Sequence, residues 1–360
     1  MSSYHCSFRR YRGGIIAFVL VILCATLAAV SLGVRQPATT AHSATLVSNA
    51  PEQYEGMALL LRLYFKPLPK QMPGSESDTP DLIALGRKLY FEKGISLEKS
   101  QSCNTCHQLD AKMAGTDHEP TSKGVNGTMG TRNSPTVLNA GFQATQFWDG
   151  RAADLIEQAK GPLLNPVEMS MRSPEDVVNR LKSETDYADA FARAFPDQAE
   201  PITFDNVARA IAAFERTLIT PSRFDRYLTG DKKALSPQEQ RGLHRFVNTG
   251  CIQCHNSYPV GGRSLQKLGI FHAYKNREDL GRWNVTHLAE DKYYFKVPML
   301  RNVTHTQPYF HDGKVPQLQE AVRQMAWMQL DTKLSPREVN EIVGFLHTLD
   351  AERPIVVAGP

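Results

Sequence analysis

Apolar residues recur at helical spacing along several stretches of the chain. Leu82, Leu85 and Leu89 fall on one face of a helix, and similar spacing occurs within residues 57–64 and 207–218. Polar residues that can accept hydrogen bonds from the first helical N–H groups precede further helices. These predicted N-caps are Ser173, Thr203, Ser236 and Ser335. The pattern predicts an all-α protein.

Two long stretches interrupt this helical pattern. Residues 101–150 and 250–316 are rich in Gly, Pro, Asn and Thr and lack sustained periodicity. Loops of this length inside a compact domain usually have a functional reason, and a large buried prosthetic group would supply one. We therefore expect helices joined by long loops that enclose such a group.

A repeat with a constant offset of 163 residues relates the two stretches. The recurring pairs are Pro135 and Pro298, Asn139 and Asn302, Phe147 and Phe310, Gly150 and Gly313, Leu155 and Leu318, and Glu157 and Glu320. Within the repeat, Trp148 aligns with the chemically different His311. The repeat predicts two domains related by internal duplication.

Composition and charge narrow the possible functions. The 360 residues are enough for two domains of ordinary size, and 41% hydrophobic with 22% charged residues is a globular composition. The formal net charge is only +4, with acidic and basic residues interspersed, so we expect no nucleic-acid partner.

The N-terminus has the features of an export segment. Arg9, Arg10 and Arg12 precede an uncharged apolar run over residues 13–34, which is long enough to span a bilayer. Residues 1–34 are therefore predicted to be either a cleaved signal peptide or a retained N-terminal membrane anchor. Residues 35–51, rich in Pro, Thr, Ser and Ala, are predicted to be a linker.

Four of the six cysteines fall in two Cys-x-x-Cys-His sequences, and the other two lie in the leader. The four are Cys103, Cys106, Cys251 and Cys254. This sequence is the attachment signature of c-type haem, with the adjacent His107 or His255 as proximal iron ligand. A zinc site would need further ligands at suitable spacing, and a redox dithiol would not need the histidine twice. We therefore expect two covalently bound haem c groups.

The second axial position of each iron decides the function, because a closed haem transfers electrons and an open haem can activate a small molecule. Candidate ligands are Met299, Met325 and Met328 for the second haem and Met113, His118 and Met129 for the first. We favour an open first haem with Glu168 above it as an acid–base group. The alternative is that Glu168 caps or flanks the helix that starts near Ser173.

From Cys103 to the C-terminus, the chain resembles the bacterial di-haem cytochrome c peroxidases, a family that includes the MauG-type enzymes. The matching stretches are residues 132–140, 146–152, 157–162, 167–170, 295–298, 300–303, 308–313 and 321–325. The resemblance implies a peroxidatic haem domain of low potential over residues 52–220. It also implies an electron-transfer haem domain of high potential over residues 221–352. Together with the export segment, the resemblance implies a periplasmic location, with residues 13–34 as a potential inner-membrane anchor, and it is compatible with a homodimer.

The resemblance also implies roles for single residues. Glu168 matches the distal acid–base glutamate, and Gln158 matches a glutamine of the distal pocket. Trp148 matches the tryptophan between the haems, and Met325 matches the distal ligand of the second haem. The implied reaction is reduction of hydrogen peroxide with electrons from a cytochrome c or a cupredoxin.

Asn133, Thr306 and Pro308 match the side chain and the backbone carbonyls that bind calcium between the two domains, and oxygen ligands suit this ion. One position departs from the family. Where many members carry a ligating histidine after Thr-Ser-x-Gly, this chain has Val125, which cannot bind iron. We therefore expect the first haem to be open without reductive activation, unless His118 or a methionine replaces the missing ligand.

Two other functions remain open at this point. A MauG-like oxidase would modify another protein, but in that enzyme a tyrosine replaces the methionine on the second haem, so Met325 argues against it. A non-enzymatic di-haem electron carrier would have both irons closed, and Glu168 and Gln158 argue against that.

Overall fold

The computed structural model describes residues 57, 59–110, 112–353, 355–357 and 359. The predicted leader and linker lie outside these residues. Within the described part of the chain, no helix is both long and apolar enough to cross a membrane.

The structure is rich in helix and has little sheet. Residues 59–64 are helical, and eleven further α-helices follow within the described residues. The helices are α1 (Pro80–Tyr90), α2 (Cys103–Cys106), α3 (Leu155–Leu164), α4 (Pro174–Lys182), α5 (Thr185–Ala194), α6 (Phe204–Glu215), α7 (Arg223–Leu228), α8 (Pro237–Thr249), α9 (Trp283–Thr286), α10 (Leu318–Leu330) and α11 (Pro336–Leu346). Short 3-10 turns occur at Val125–Gly127, Ala140–Phe142, Lys232–Ala234, Cys251–Gln253, Ala289–Asp291, Val303–His305 and His347–Leu349.

A small antiparallel sheet adds to the predicted helices. Strand β1 (Leu265–Lys267) pairs with β2 (Tyr294–Lys296), with Leu265 opposite Lys296. The predicted helical class is therefore confirmed as a helix-rich fold.

The four predicted N-caps are confirmed. Each side-chain hydroxyl accepts a hydrogen bond from the backbone N–H three residues later, at 3.1–3.4 Å. At Ser236 and Ser335 the glutamate at that third position also accepts a hydrogen bond from the cap residue, which completes a capping box. These local signals fix where four of the long helices begin.

Two helix pairs cross at a glycine in the same way. Helix α1 packs on α6, and a Cβ on Gly86 would lie 1.8 Å from the carbonyl oxygen of Ala210. Helix α8 packs on α11, and a Cβ on Gly242 would lie 1.9 Å from the carbonyl oxygen of Glu341. Any side chain at either glycine would force the two helices apart.

An aromatic pair lies one turn beyond each glycine. Tyr90 contacts Phe214 with ring centroids 5.2 Å apart, and Phe246 contacts Phe345 at the same distance. Both geometries are in the range that favours edge contacts between rings. The two helix crossings are therefore built from the same parts.

Each crossing lies in a separate hydrophobic core. One core is formed by buried residues of α1 and α3–α6, and the other by buried residues of α7, α8 and α11. Leu61 and Phe65, which precede α1, belong to the second core, where Phe65 contacts Phe224 with ring centroids 5.2 Å apart. The start of the described chain therefore stabilises the later half.

The backbone of the two loop regions repeats with the 163-residue offset. Left-handed φ angles occur at Asn139 (60°) and Asn302 (61°), and at Phe147 (64°) and Phe310 (70°). Non-glycine residues adopt this region rarely, so its recurrence at aligned positions means that the two loops follow the same path.

Asn139 and Asn302 both bind Thr220. The Nδ2 atoms of the two asparagines donate to the Thr220 hydroxyl at 2.5 Å and 2.9 Å. The Asn139 Oδ1 accepts from the Thr220 N–H, and the Asn302 Oδ1 accepts from the Ala351 N–H. This buried network joins the two halves where the chain passes from one to the other.

Candidate haem sites and active site

Each Cys-x-x-Cys-His sequence lines a cavity. The first cavity has a volume of about 830 Å³ and the second about 220 Å³. The first is lined by Cys103, Cys106 and His107, and the second by Cys251, Cys254 and His255. The structure thus brings the attachment residues of each sequence to one wall.

A tight helical turn places the residues of each sequence together. In the first, Cys103–Cys106 forms α2, and the His107 N–H donates to the Cys103 carbonyl at 3.0 Å. In the second, the His255 N–H donates to the Cys251 carbonyl, also at 3.0 Å. The same local hydrogen bond therefore brings both cysteines and the histidine of each sequence to the cavity.

The cysteines are free thiols, unpaired with one another. Burial raises the pKa of Cys106 to about 11 and that of Cys251 to about 12, and it also raises the pKa of Cys103 and Cys254. Burial therefore favours the thiol over the thiolate at all four positions. Free thiols beside a large cavity fit the thioether bonds of haem c.

Both imidazoles are held in the neutral form that binds iron. Burial lowers the pKa of His107, and it lowers the pKa of His255 to about 4. Each Nδ1 atom is buried and lacks a partner at full hydrogen-bond geometry. The backbone carbonyls of Pro135 and Pro298, which are repeat partners, oppose this lowering without reversing it. The residues present therefore fit two haem groups with His107 and His255 as iron ligands.

Glu168 lines the first cavity, on the segment that follows α3. Its Oε1 atom accepts a hydrogen bond from the Asn165 Nδ2 at 2.6 Å. Burial raises the pKa of Glu168, while this hydrogen bond and the charge of Arg151 act in the opposite direction. Ser173 itself caps α4, so Glu168 does not cap this helix, although it lies on the segment that precedes it. Glu168 is thus a half-buried carboxyl group with a raised pKa on the wall of the cavity.

Val125 is packed against the segment that carries Glu168. It is 1% exposed, and its N–H donates to the Glu168 carbonyl at 3.0 Å. A Cβ on the preceding Gly124 would lie 2.1 Å from the Val167 carbonyl oxygen, so the two segments touch through their backbones. The loop is held close to the cavity, but at this position it offers no donor atom to iron.

The three other candidate ligands of the first haem lie elsewhere. The His118 Nε2 is 2.8 Å from the His305 carbonyl, within hydrogen-bond distance, and Met129 is 53% exposed. Neither of these residues nor Met113 is among the described residues that line the first cavity. Gln158, in contrast, lines it from α3. The described conformation therefore presents Glu168 and Gln158 to the cavity but none of the three candidate ligands.

The second cavity is lined by two of the three candidate methionines. Met325 reaches it from α10, and Met299 reaches it from the segment beside Pro298. Met328 is 4% exposed and is not among the described lining residues. The Pro298 carbonyl lies beside the proximal His255, and Met299 is the next residue in the chain. Met325, in contrast, approaches the cavity from a different element, helix α10.

Trp148 lines both cavities. Its Nε1 donates to the Asn133 carbonyl at 2.8 Å, and its own carbonyl accepts from the Lys296 N–H at 2.6 Å. Its ring centroid is 6.4 Å from that of His311, its repeat partner. The tryptophan is therefore fixed at the boundary of the two sites.

The three calcium candidates lie along one cavity. Asn133, Thr306 and Pro308 all line the second cavity, and Asn133 also lines the first. The Asn133 Nδ2 donates to the Glu119 carbonyl at 2.9 Å. The described residues contain no cluster of three or more His, Cys, Asp or Glu side chains suited to a metal ion.

Sequence reasoning missed Glu215, another carboxyl group of the first cavity. Glu215 lines this cavity, is 4% exposed, and has an Oε2 atom without a hydrogen-bond partner. Burial raises its pKa to about 8. The neighbouring Arg216 is paired with Asp78 at 2.6 Å, although its charge still opposes that rise. An acid placed inside the apolar pattern of α6 is the signal that could have revealed it.

Comparison with known proteins identifies the family. A profile of the di-haem cytochrome c peroxidases matches residues 80–233. The cytochrome c551 peroxidase of Pseudomonas aeruginosa is 46% identical over 303 residues, which cover 81% of this chain and 86% of that protein. The chain belongs to the di-haem cytochrome c peroxidase family. The predicted resemblance is thereby confirmed, and with it the expectation of two haem c groups.

MauG-type members of this peroxidase family are also similar. The methylamine utilization protein MauG of Methylorubrum extorquens is 32% identical over 329 residues, covering 88% of this chain and 91% of that protein. A solved MauG-like protein associated with microbial copper homeostasis superposes with a TM-score of 0.70 at 28% identity. It covers 82% of this chain and 95% of its own. Identity is higher to the named peroxidase than to MauG.

Proposed function

We propose that this protein is a cytochrome c peroxidase that reduces hydrogen peroxide to water with electrons from a small donor such as cytochrome c or a cupredoxin. The observation that carries this proposal is the first cavity. It combines a complete haem-attachment sequence with a half-buried carboxyl group, Glu168, and none of the three predicted second ligands of the first iron, Met113, His118 and Met129, is among the described residues that line it.

Glu168 has the properties of the acid–base group. A haem held by Cys103, Cys106 and His107 supplies an iron that binds peroxide and passes electrons to it. The Glu168 carboxylate takes the proton from one peroxide oxygen and returns it to the other, which then leaves as water. Asn165 holds the carboxyl group in place, and Gln158 can donate a hydrogen bond to the leaving oxygen. Two electrons and two further protons complete the conversion of one peroxide to two waters.

The second site is suited to electron storage. His255 and Met325 would hold its iron from both sides, and methionine opposite histidine raises the reduction potential. Trp148 would lie between the two groups, because it lines both cavities. We propose that it forms part of the route for the second electron as well as an anchor for the loops.

The first site is proposed to be open in the oxidised enzyme, because Val125 replaces the expected loop ligand. The absorption spectrum of the fully oxidised protein tests this directly. We expect one high-spin and one low-spin haem, and two six-coordinate low-spin haems would contradict the proposal.

Internal duplication accounts best for the paired features of the chain. We propose two all-α, cytochrome c-like domains over residues 52–220 and 221–352. The matched glycine crossings, the matched aromatic pairs and the recurring φ angles support this arrangement. The segment with Leu61 and Phe65 would then belong to the first domain by sequence and to the second by packing.

Calcium is proposed to bind between the two halves through Asn133, Thr306 and Pro308. Support comes from their shared position along the second cavity. Incubation with a calcium chelator should lower peroxide turnover, and added calcium should restore it, while added magnesium should not. Unchanged turnover in protein shown by elemental analysis to be calcium-free would remove the proposal.

The periplasm is the proposed location, with residues 1–34 acting as a signal or an anchor. Mass spectrometry of the mature N-terminus distinguishes the two. A homodimer is proposed as the solution state, and sedimentation velocity measures it.

Steady-state oxidation of a reduced cytochrome c by peroxide tests the function as a whole. We expect turnover that depends on both substrates. An electron carrier would show none, and a protein-modifying oxidase would act on a protein substrate instead.

A further inference from the structure

Lys296 is a buried lysine that the proposed chemistry does not use. It ends strand β2, is 5% exposed, and lines the second cavity. Its Nζ atom donates to the Thr145 carbonyl at 3.0 Å. One backbone acceptor leaves the other ammonium protons without a described partner, and a buried ammonium group is costly without an anion.

No carboxylate in the described wall of the second cavity can pair with Lys296, because that wall contains neither aspartate nor glutamate. The carboxylate of Asp149 interacts electrostatically with Lys296, but it is already paired with two arginines. Its Oδ2 accepts from Arg132 at 2.6 Å and from Arg151 at 2.8 Å. The counter-ion of Lys296 must therefore come from whatever fills the cavity.

The charge distribution of the two cavities differs. Arg132, Arg151 and Lys314 all line the first cavity. Of the described residues that line the second, Lys296 alone is a lysine or arginine. Burial lowers the pKa of Lys296 to about 7, so without an anion the cavity would lose this charge near neutral pH.

A haem supplies the missing anion, because each haem carries two propionate carboxylates. We propose that Lys296 binds a propionate of the second haem and so raises the reduction potential of that haem. A fixed positive charge beside the porphyrin stabilises the added electron in a site of low dielectric constant. The inference rests on the presence of the second haem, and it does not require that the protein turns over peroxide.

Potentiometric titration of the holoprotein tests this assignment. Lys296→Gln keeps a donor for the Thr145 carbonyl and removes the charge, whereas Lys296→Arg keeps the charge. Lys267→Gln is the matched control, because Lys267 lies exposed on the paired strand β1. The titration shows one reduction transition for each haem, and the transition that Met325→His shifts is assigned to the second haem.

We expect Lys296→Gln to lower the reduction equilibrium constant of the second haem about tenfold, which is ~59 mV for one electron. Lys296→Arg should stay close to wild type, and Lys267→Gln should change nothing. A shift no larger than that of Lys267→Gln, or a shift confined to the other haem, would overturn the assignment. Absence of peroxidase activity in wild-type protein, with the potential of the second haem shifting as expected in Lys296→Gln, would contradict the proposed function and leave this inference standing.

A second measurement covers the case in which Lys296→Gln fails to attach haem. In wild-type protein, a lysine paired with a propionate stays charged, so the potential of the second haem should be flat between about pH 6 and 8. An unpaired Lys296 would lose its proton in this window and lower the potential as pH rises. Asp149 is held by two arginines, and burial lowers the pKa of His311, so Lys296 is the group expected to change charge. A downward slope would overturn the proposal.

Discussion

The two cavities have the same attachment chemistry and differ in the residues that face the haem. The first is about 830 Å³ and is lined by several carboxyl groups, Glu168 and Glu215 among them, whereas the described wall of the second, about 220 Å³, has no carboxyl group and includes Met299 and Met325. Glu215 lines the first cavity. Its counterpart in the second is Leu346, because each directly follows the phenylalanine of its helix crossing. One scaffold thus holds a site suited to proton transfer and a site suited to electron storage.

Helix length produces the other main difference. Helices α3 and α10 begin at aligned residues, Leu155 and Leu318, but α3 ends at Leu164 and α10 continues to Leu330. The 163-residue offset aligns Pro162 with Met325, and both residues line their cavities. A proline inside a helix removes a backbone donor and favours termination. Pro162, in the last turn of the first helix, therefore occupies the position of the proposed iron ligand in the second.

The largest expected effect comes from removing the acid–base group. Glu168→Gln should lower kcat/KM for hydrogen peroxide by roughly 10²–10⁴-fold, because the amide cannot accept and return the proton. Haem content and the two reduction potentials should stay close to wild type. Stopped-flow reaction of the reduced enzyme with peroxide measures the loss.

Glu157→Gln is the control for that prediction. Glu157 lies on helix α3, which precedes the Glu168 segment, but it is exposed and paired with Lys160 at 2.8 Å. Peroxide turnover in this variant should match wild type. If Glu168→Gln retained the wild-type rate, proton transfer would have to be assigned to another group.

Exchanging the ligand of the second haem should have the next largest effect. Met325→His should lower the potential of that haem by on the order of 0.1 V, a fraction of the ~0.8 V range that axial ligands cover. Met299→His is the matched control, since Met299 lines the same cavity. Spectroelectrochemistry measures both, and a shift in the Met299 variant alone would move the ligand to that residue.

The comparison can also be sharpened by making the first site resemble the second. Pro162→Met places a thioether at the position that aligns with Met325. If this thioether binds the first iron, it blocks the position that peroxide would take, and peroxide binding should slow at least about tenfold, or ~1.4 kcal/mol. The high-spin absorption band of the oxidised protein should shrink in parallel. Pro162→Leu removes the same proline without adding a ligand, so equal losses in both variants would contradict ligation.

The last expected effect is on stability rather than on turnover. The folded-state pKa of Glu215, about 8, lies above the ordinary carboxyl value, so the folded protein binds its proton more tightly. Stability from this group is full below about pH 4.5 and declines by roughly 1.4 kcal/mol per pH unit up to about pH 8. Glu215→Gln should remove this decline, so that its Tm exceeds that of wild type at pH 8 more than at pH 5. Calorimetry at the two pH values measures it, and parallel curves would contradict the raised pKa.

Much of the architecture could be predicted because its signals are local. The caps at Ser173 and Ser335 depend on residues within one helical turn, and the two attachment sequences are contiguous. The 163-residue repeat also relates contiguous strings, so the loops that share a backbone path could be paired by inspection.

The missed features depend on residues distant in sequence. Lys296 is buried because the loop with Thr145 and Trp148 packs on β2, and the residues next to Lys296 in the sequence give no sign of this contact. Glu215 lines a cavity whose other lining residues come mostly from distant parts of the chain. Leu61 joins a core that begins more than 150 residues later. Burial of this kind follows from tertiary packing.

The hydrogen bonds at Thr220 determine how this molecule can be divided. A cut after this residue separates Asn302 from the hydroxyl that it binds, and it also leaves Leu61 and Phe65 on the wrong fragment. A single-haem fragment made by truncation would therefore expose the buried side chain of Asn302 and leave an apolar cavity where Leu61 and Phe65 had packed. A stable C-terminal fragment would need residues 61–65 attached to it and an apolar residue in place of Asn302.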